Sequence, residues 1–167
     1  MNGHGTRSCS GITLLEGLLA SVVLAAATTT VIWPFVAARQ NEQIAARQTL
    51  ACCLAQELLE EILAKPFEDP DGASDPGPDA GEGSRAAFDN IDDYQGYSEG
   101  PGQIVCFDGE GAGDLTAEGL SRSATATYVY VGGQDTTEEP TFILITVQVS
   151  YRGDSIVTLK RLAYAVQ

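Results

Sequence analysis

The chain has 167 residues, room for one domain of ordinary size and one long appended element. Its 23 Asp and Glu against 9 Lys and Arg give a formal net charge of −14. That excess argues against a nucleic-acid-binding surface, which needs cations to displace counterions from phosphate. It also requires any attachment to an anionic membrane to be hydrophobic.

The first ten residues, Met1 to Ser10, are short and polar, with Arg7 and no acid. From Ile12 to Ala38 there follow 27 residues with one charged side chain, Glu16. Only about 20 apolar residues are needed to cross the hydrocarbon of a bilayer. The run is too long and too uniform for a core helix. A secretory signal peptide is the second reading, since Ala25-Ala26-Ala27 resembles an A-x-A cleavage site after a basic start. Against it, Glu16 interrupts the apolar run, and apolar sequence resumes at Val31-Ile32-Trp33-Pro34-Phe35-Val36. A retained membrane helix with a purposeful charge is the third. An acid in such a helix costs on the order of 2.5–3.5 kcal/mol, which marks it as functional by default.

Gly11 followed by Ile12-Thr13-Leu14-Leu15-Glu16 closely resembles the signal of type IV prepilins and type II secretion pseudopilins. The resemblance implies cleavage by a prepilin peptidase between Gly11 and Ile12, and methylation of the new amine on Ile12. It leaves residues 1–11 as a leader and 12–38 as the transmembrane half of an N-terminal helix. Ile12 stands where the family usually has Phe, and Glu16 falls fifth after the cut, where the family has its acid. In that family the acid meets the N-terminal amine of a neighbouring subunit, so Glu16 is the expected assembly residue. The physical reason is that a carboxylate and an ammonium in a low dielectric are costly alone and less so when paired.

Past Ala38 the pattern becomes amphipathic. Over 39–65, Ile44, Ala51, Leu54, Ala55, Leu58 and Ile62 recur at helical spacing, and Leu59 and Leu63 widen the stripe. Glu61 and Lys65 are placed for an i,i+4 pair. Lys65-Pro66 predicts the helix stop, because the residue before proline avoids α geometry. Pro34 predicts a kink or local loosening within the apolar half.

Residues 66–121 form an acidic, Gly/Pro-rich variable region. Pro66 to Glu118 contains 14 acids and one base, Arg85, for a net −13. Its first part is rich in turn formers, as in Asp75-Pro76-Gly77-Pro78-Asp79. Phe88 to Tyr97, with Ala55 to Ile62, resembles the minor pilins of the mannose-sensitive haemagglutinin type. Two readings stand for its acids. One is a calcium site using Asp89, Asp92 or Asp93, since calcium takes carboxylate oxygens from flexible loops. The other is a solvated loop in which Phe88, Ile91, Tyr94 and Tyr97 dock on the core and the acids face water. No cofactor other than that calcium is expected.

Of four cysteines, Cys9 lies in the leader. Cys52 and Cys53 point about 100° apart on a helix and are unsuited to pairing with each other. One of them could bridge to Cys106; the alternative is buried thiols.

Residues 122–167 predict an antiparallel sheet. Ala124 to Val131, Thr141 to Tyr151 and Ser155 to Val166 have strand character, with a hairpin at Arg152-Gly153-Asp154 and a further short strand near Gln103 to Phe107. Ile143, Ile145, Val147 and Val149 share one face. The expected fold is α+β and pilin-like: a long N-terminal helix whose second half packs on a C-terminal antiparallel sheet.

An enzyme is not expected. The one histidine, His4, is in the leader, and no P-loop lysine follows Gly109-Glu110-Gly111-Ala112-Gly113. The resemblance implies a structural subunit, more in keeping with a minor one, of a type IV pilus or type II secretion pseudopilus. It would sit once through a bacterial inner membrane, N-terminus cytoplasmic and C-terminal domain periplasmic, and pass into a filament. Its partners would be the prepilin peptidase, other pilin or pseudopilin subunits and an inner-membrane assembly platform. The alternative is a membrane-anchored acidic, calcium-dependent extracytoplasmic binding module that does not polymerise.

Overall fold

The computed structural model describes residues 13–70, 72, 76–106, 111–112, 117–135, 137 and 140–164. The architecture is α+β: one long N-terminal helix, α1 (Leu14–Leu63), and a four-stranded antiparallel sheet. The chain divides into two compact units, one ending at Gln43 and one starting at Ile44.

In the first unit α1 starts under a side-chain cap, with the Glu16 N–H donating to Thr13 Oγ1 at 3.3 Å. Its apolar side chains are all exposed, among them Leu18, Val22, Ile32, Trp33 and Phe35. The hydroxyls of Ser21, Thr28, Thr29 and Thr30 donate to helix carbonyls three or four residues back, at 2.8–3.1 Å. Polar groups satisfied within the helix are what a segment in hydrocarbon requires. This stretch is long and apolar enough to cross a membrane. The helix continues through Pro34.

In the second unit the continuing part of α1 buries Ala51, Leu54, Ala55, Leu58, Leu59 and Ile62. Ile44 and Leu63, expected on the same stripe, are instead 49% and 42% exposed. They stand at the two ends of the packed segment, and Leu63 lies at a surface groove beside β4. The helix closes before Lys65-Pro66.

The sheet runs in sequence order: β1 (Ser98–Glu99), β2 (Leu120–Val129), β3 (Phe142–Tyr151) and β4 (Asp154–Tyr164). Ile143, Ile145, Val147 and Val149 on β3 are fully buried, as their alternation predicts. Arg152 and Gly153 join β3 to β4 with φ of 52° and 94°, the left-handed pair that a two-residue hairpin turn requires. Two expectations need correction. β2 begins at Leu120, four residues before the expected start, because Arg122 points inward with Leu120 and Ala124 and is itself buried. The short fourth strand lies at Ser98–Glu99 and not near Gln103 to Phe107, where the described residues contain one isolated bridge, Val105 to Gly111.

Candidate functional site

Three groups of polar residues stand out. The first is Glu16, in the first turn of α1 and exposed. Thr13 and Glu16 have capping-box spacing, and the Thr13 half of that box is formed. A carboxylate here also suits the positive end of the helix dipole. The expected cleavage and methylation positions, Gly11 and Ile12, lie outside the described residues.

The second is an acidic cluster. Glu82, Asp89 and Asp93 bring one carboxylate oxygen each to within 4.8 Å of one another. Asp93 is buried and its Oδ2 accepts the N–H groups of Asp89 and Asn90 at 2.8 and 3.0 Å. Asn90 Oδ1 in turn accepts the Asp93 N–H at 3.0 Å, so a small closed loop presents these acids. The Asp79 N–H lowers the Glu82 pKa, but burial, the hydrogen bond with Asp93 and the charges of Asp93 and Asp89 outweigh it, leaving Glu82 above the ordinary carboxylate value. Crowded carboxylates of this kind are relieved by a proton or a cation. Three oxygens suit part of the six-to-eight-fold oxygen shell of calcium. The sequence pointed to Asp89, Asp92 and Asp93; the structure brings two of these together and adds Glu82. Asp92 lies apart from them, accepting the Tyr128 hydroxyl at 2.7 Å. Nor do these acids simply face water, since Asp92 and Asp93 are buried beside the packed Phe88, Ile91 and Tyr94.

The third group went unread in the sequence. Glu99, on β1, accepts Arg122 Nε at 2.5 Å, Arg85 Nη1 at 3.3 Å and the Val105 N–H at 3.1 Å. Arg122 reaches across to donate to the Leu54 carbonyl of α1 at 3.0 Å and to the Val105 carbonyl at 2.8 Å. Arg85 also forks onto Glu61 of α1, with Nε donating to Oε1 at 2.7 Å and Nη2 paired to Oε2. The Tyr94 hydroxyl donates to the same Oε1 at 2.7 Å. Burial raises the Glu61 pKa, but the hydrogen bonds from Arg85 and Tyr94 and the two arginine charges win and hold it below its usual value. Burial, then the charge and hydrogen bond of Glu99, push Tyr97 up to about 12. The expected Glu61–Lys65 pair is absent because Arg85 takes Glu61, while Lys65 Nζ donates to the Phe88 carbonyl at 2.5 Å. This network ties β1, β2, the Arg85 loop and α1 together.

No protein-family model, curated protein or solved structure matches the chain.

Among the described residues the polar groups therefore sort by task. The Arg85–Glu61–Glu99–Arg122 network is satisfied internally and holds the variable region on the helix. The Glu82–Asp89–Asp93 cluster has the charge and spacing to hold a cation. Glu16 stands as the single acid on an otherwise apolar and uncovered length of helix. Among the described residues Cys52, Cys53 and Cys106 form no disulfide; Cys52 and Cys53 are exposed and Cys106 is half-buried. The two helix cysteines are not the buried thiols expected, because the buried stripe passes through Ala51 and Leu54 and leaves residues 52 and 53 outside it.

Proposed function

We propose that the chain is a non-enzymatic structural subunit, in keeping with a minor one, of a type IV pilus or type II secretion pseudopilus. The observation that carries this reading is an uncovered apolar helix with a lone carboxylate, Glu16, near its start, continuous with a helix that serves as the spine of a folded domain. A prepilin peptidase would cut after Gly11 and methylate Ile12. The apolar half would anchor the subunit in the bacterial inner membrane, N-terminus cytoplasmic and domain periplasmic, until it joins its neighbours at the assembly platform. Glu16 would then meet the terminal amine of an adjacent subunit, each charge offsetting the desolvation of the other. The pilin-like fold belongs to the same proposal.

The Glu16→Ala variant tests it. Membrane insertion should be retained and incorporation into filaments lost, read by comparing membrane and sheared-filament fractions. Undiminished incorporation would remove Glu16 from the mechanism.

A second reading rests on the Glu82–Asp89–Asp93 cluster. It makes the chain a membrane-anchored, calcium-dependent binding module that does not polymerise. That reading predicts Glu16→Ala to be silent and Glu82→Gln to abolish binding.

A further inference from the structure

Cations are scarce in the second unit. Of its seven Lys and Arg, Arg85 and Arg122 are engaged in the buried network and Lys65 holds the Phe88 carbonyl. Two of the remaining four converge on one ring. Arg47 of α1 lies over Tyr151 with its Cζ 3.8 Å from the ring centroid, and Arg152 approaches the same ring at 5.1 Å. Together with Glu118 and Gly119 they line a pocket of about 550 Å³.

One of the two guanidinium groups carries an unpaired nitrogen. Arg47 Nε is buried and has no hydrogen-bond partner, which is rare in folded proteins and calls for an explanation. Neither guanidinium forms an ion pair among the described residues. Stacking on an aromatic face attracts each cation, but two like charges over one ring repel each other, and an anion between them would offset that.

The surroundings hold this geometry in place. Arg152 adopts a left-handed φ of 52°, and its N–H donates to the Gly119 carbonyl at 2.9 Å. Gly119 has φ +83°, and a Cβ there would stand 3.0 Å from Tyr151 Cε2, so a side chain at this position would be strained and would push on the ring. The pocket therefore presents guanidinium donors whose planar fork matches an oxyanion, a carboxylate best of all.

We infer that this pocket binds a carboxylate carried by the acidic 67–83 segment of a second copy of this chain. Charge complementarity selects that occupant: the segment has six acids and no base, and its described residues form no helix or strand. Pro70, Pro76 and Pro78 favour extended backbone that loses little entropy on docking. Segment and pocket are different surfaces, so two copies can exchange segments reciprocally or pass the contact head-to-tail from copy to copy. The inference rests on the assembly reading for the source of the carboxylate, while the pocket's preference for an oxyanion stands on its own geometry.

The test is calorimetric titration of the full chain in detergent micelles with a synthetic peptide of residues 67–83, and separately with inorganic phosphate. The peptide should bind, with affinity falling about tenfold or more in Arg47→Gln and in Arg152→Gln, since each removes a charged hydrogen-bond donor. Glu118→Gln should tighten binding by removing a like charge from the rim, an opposite sign that misfolding would not produce. Peptide affinity unchanged in both arginine variants would overturn the proposal. So would binding of inorganic phosphate without binding of the peptide, or binding of neither. Failure here would leave the Glu16→Ala result untouched, so the two claims fall separately.

Discussion

Replacing Glu99 with Gln should be among the most damaging single substitutions in the domain. Glu99 is 7% exposed and Arg122 is 1% exposed, and Glu99 is the one carboxylate paired to Arg122 among the described residues. Breaking one partner of a buried pair costs about 3–5 kcal/mol, because the other charge stays buried and uncompensated. The Leu54 and Val105 carbonyls still accept from Arg122, and Arg85 keeps Glu61, which places Glu99→Gln at the lower end. For a unit of this size about 3 kcal/mol corresponds to a fall in Tm of about 10 °C. The assay is thermal unfolding of the full chain in detergent, followed by near-ultraviolet circular dichroism of the domain tyrosines. The double replacement Glu99→Leu with Arg122→Met should recover most of the loss, since apolar groups of similar volume often replace a buried pair at little cost. A Glu99→Gln variant within about 0.5 kcal/mol of the parent, the spread of an ordinary surface change, would refute the assignment of this pair as a buried charge lock. A double variant weaker than the single would refute it too.

The pH dependence has two opposed parts. Glu61 has a folded pKa below its usual 4.5, so its contribution is full above that value and is lost as pH falls through the lower folded value. Glu82 is raised, so its penalty is full above its folded pKa and is relieved as pH falls toward 4.5. A stability–pH series should therefore show gentle stabilisation on mild acidification and a decline below 4.5, and Glu82→Gln should abolish the first part alone. Calcium should raise the Tm, by about 2.7 kcal/mol of added stability at a hundred times its Kd. Glu82→Gln should remove that response and Asp92→Asn should leave it, because Asp92 is engaged with Tyr128.

What could be read from the sequence was whatever periodicity carries. The β3 alternation and the Leu54–Leu58–Ile62 spacing place the core directly, and Lys65-Pro66 places the helix end to within a residue. Charged side chains that fold inward could not be read the same way. Arg122 breaks the apolar alternation of β2, so the strand appears to start later than it does; its burial depends on Glu99, 23 residues away, and no local pattern announces that partner. Glu61 looked like half of a local pair with Lys65, yet the forked contact from Arg85 outcompetes it. Asp92 sits among acids in sequence, but the 3₁₀ turn Asp92–Tyr94 sends it toward Tyr128 while Asp93 turns back to the Asp89 and Asn90 amides. The Thr13 cap was readable from its spacing to Glu16 and was overshadowed by the acid itself. Arg47, Tyr151 and Arg152 carry no local signature, because their meeting depends on the docking of α1 against the β3–β4 hairpin.

The most direct test of the assembly account is the intact mass of the protein extracted from membranes of cells with and without an active prepilin peptidase. The expected species are a chain beginning at methylated Ile12 in the first sample and an uncut chain in the second. Cleavage after Ala27, or an uncut chain in both, would contradict it.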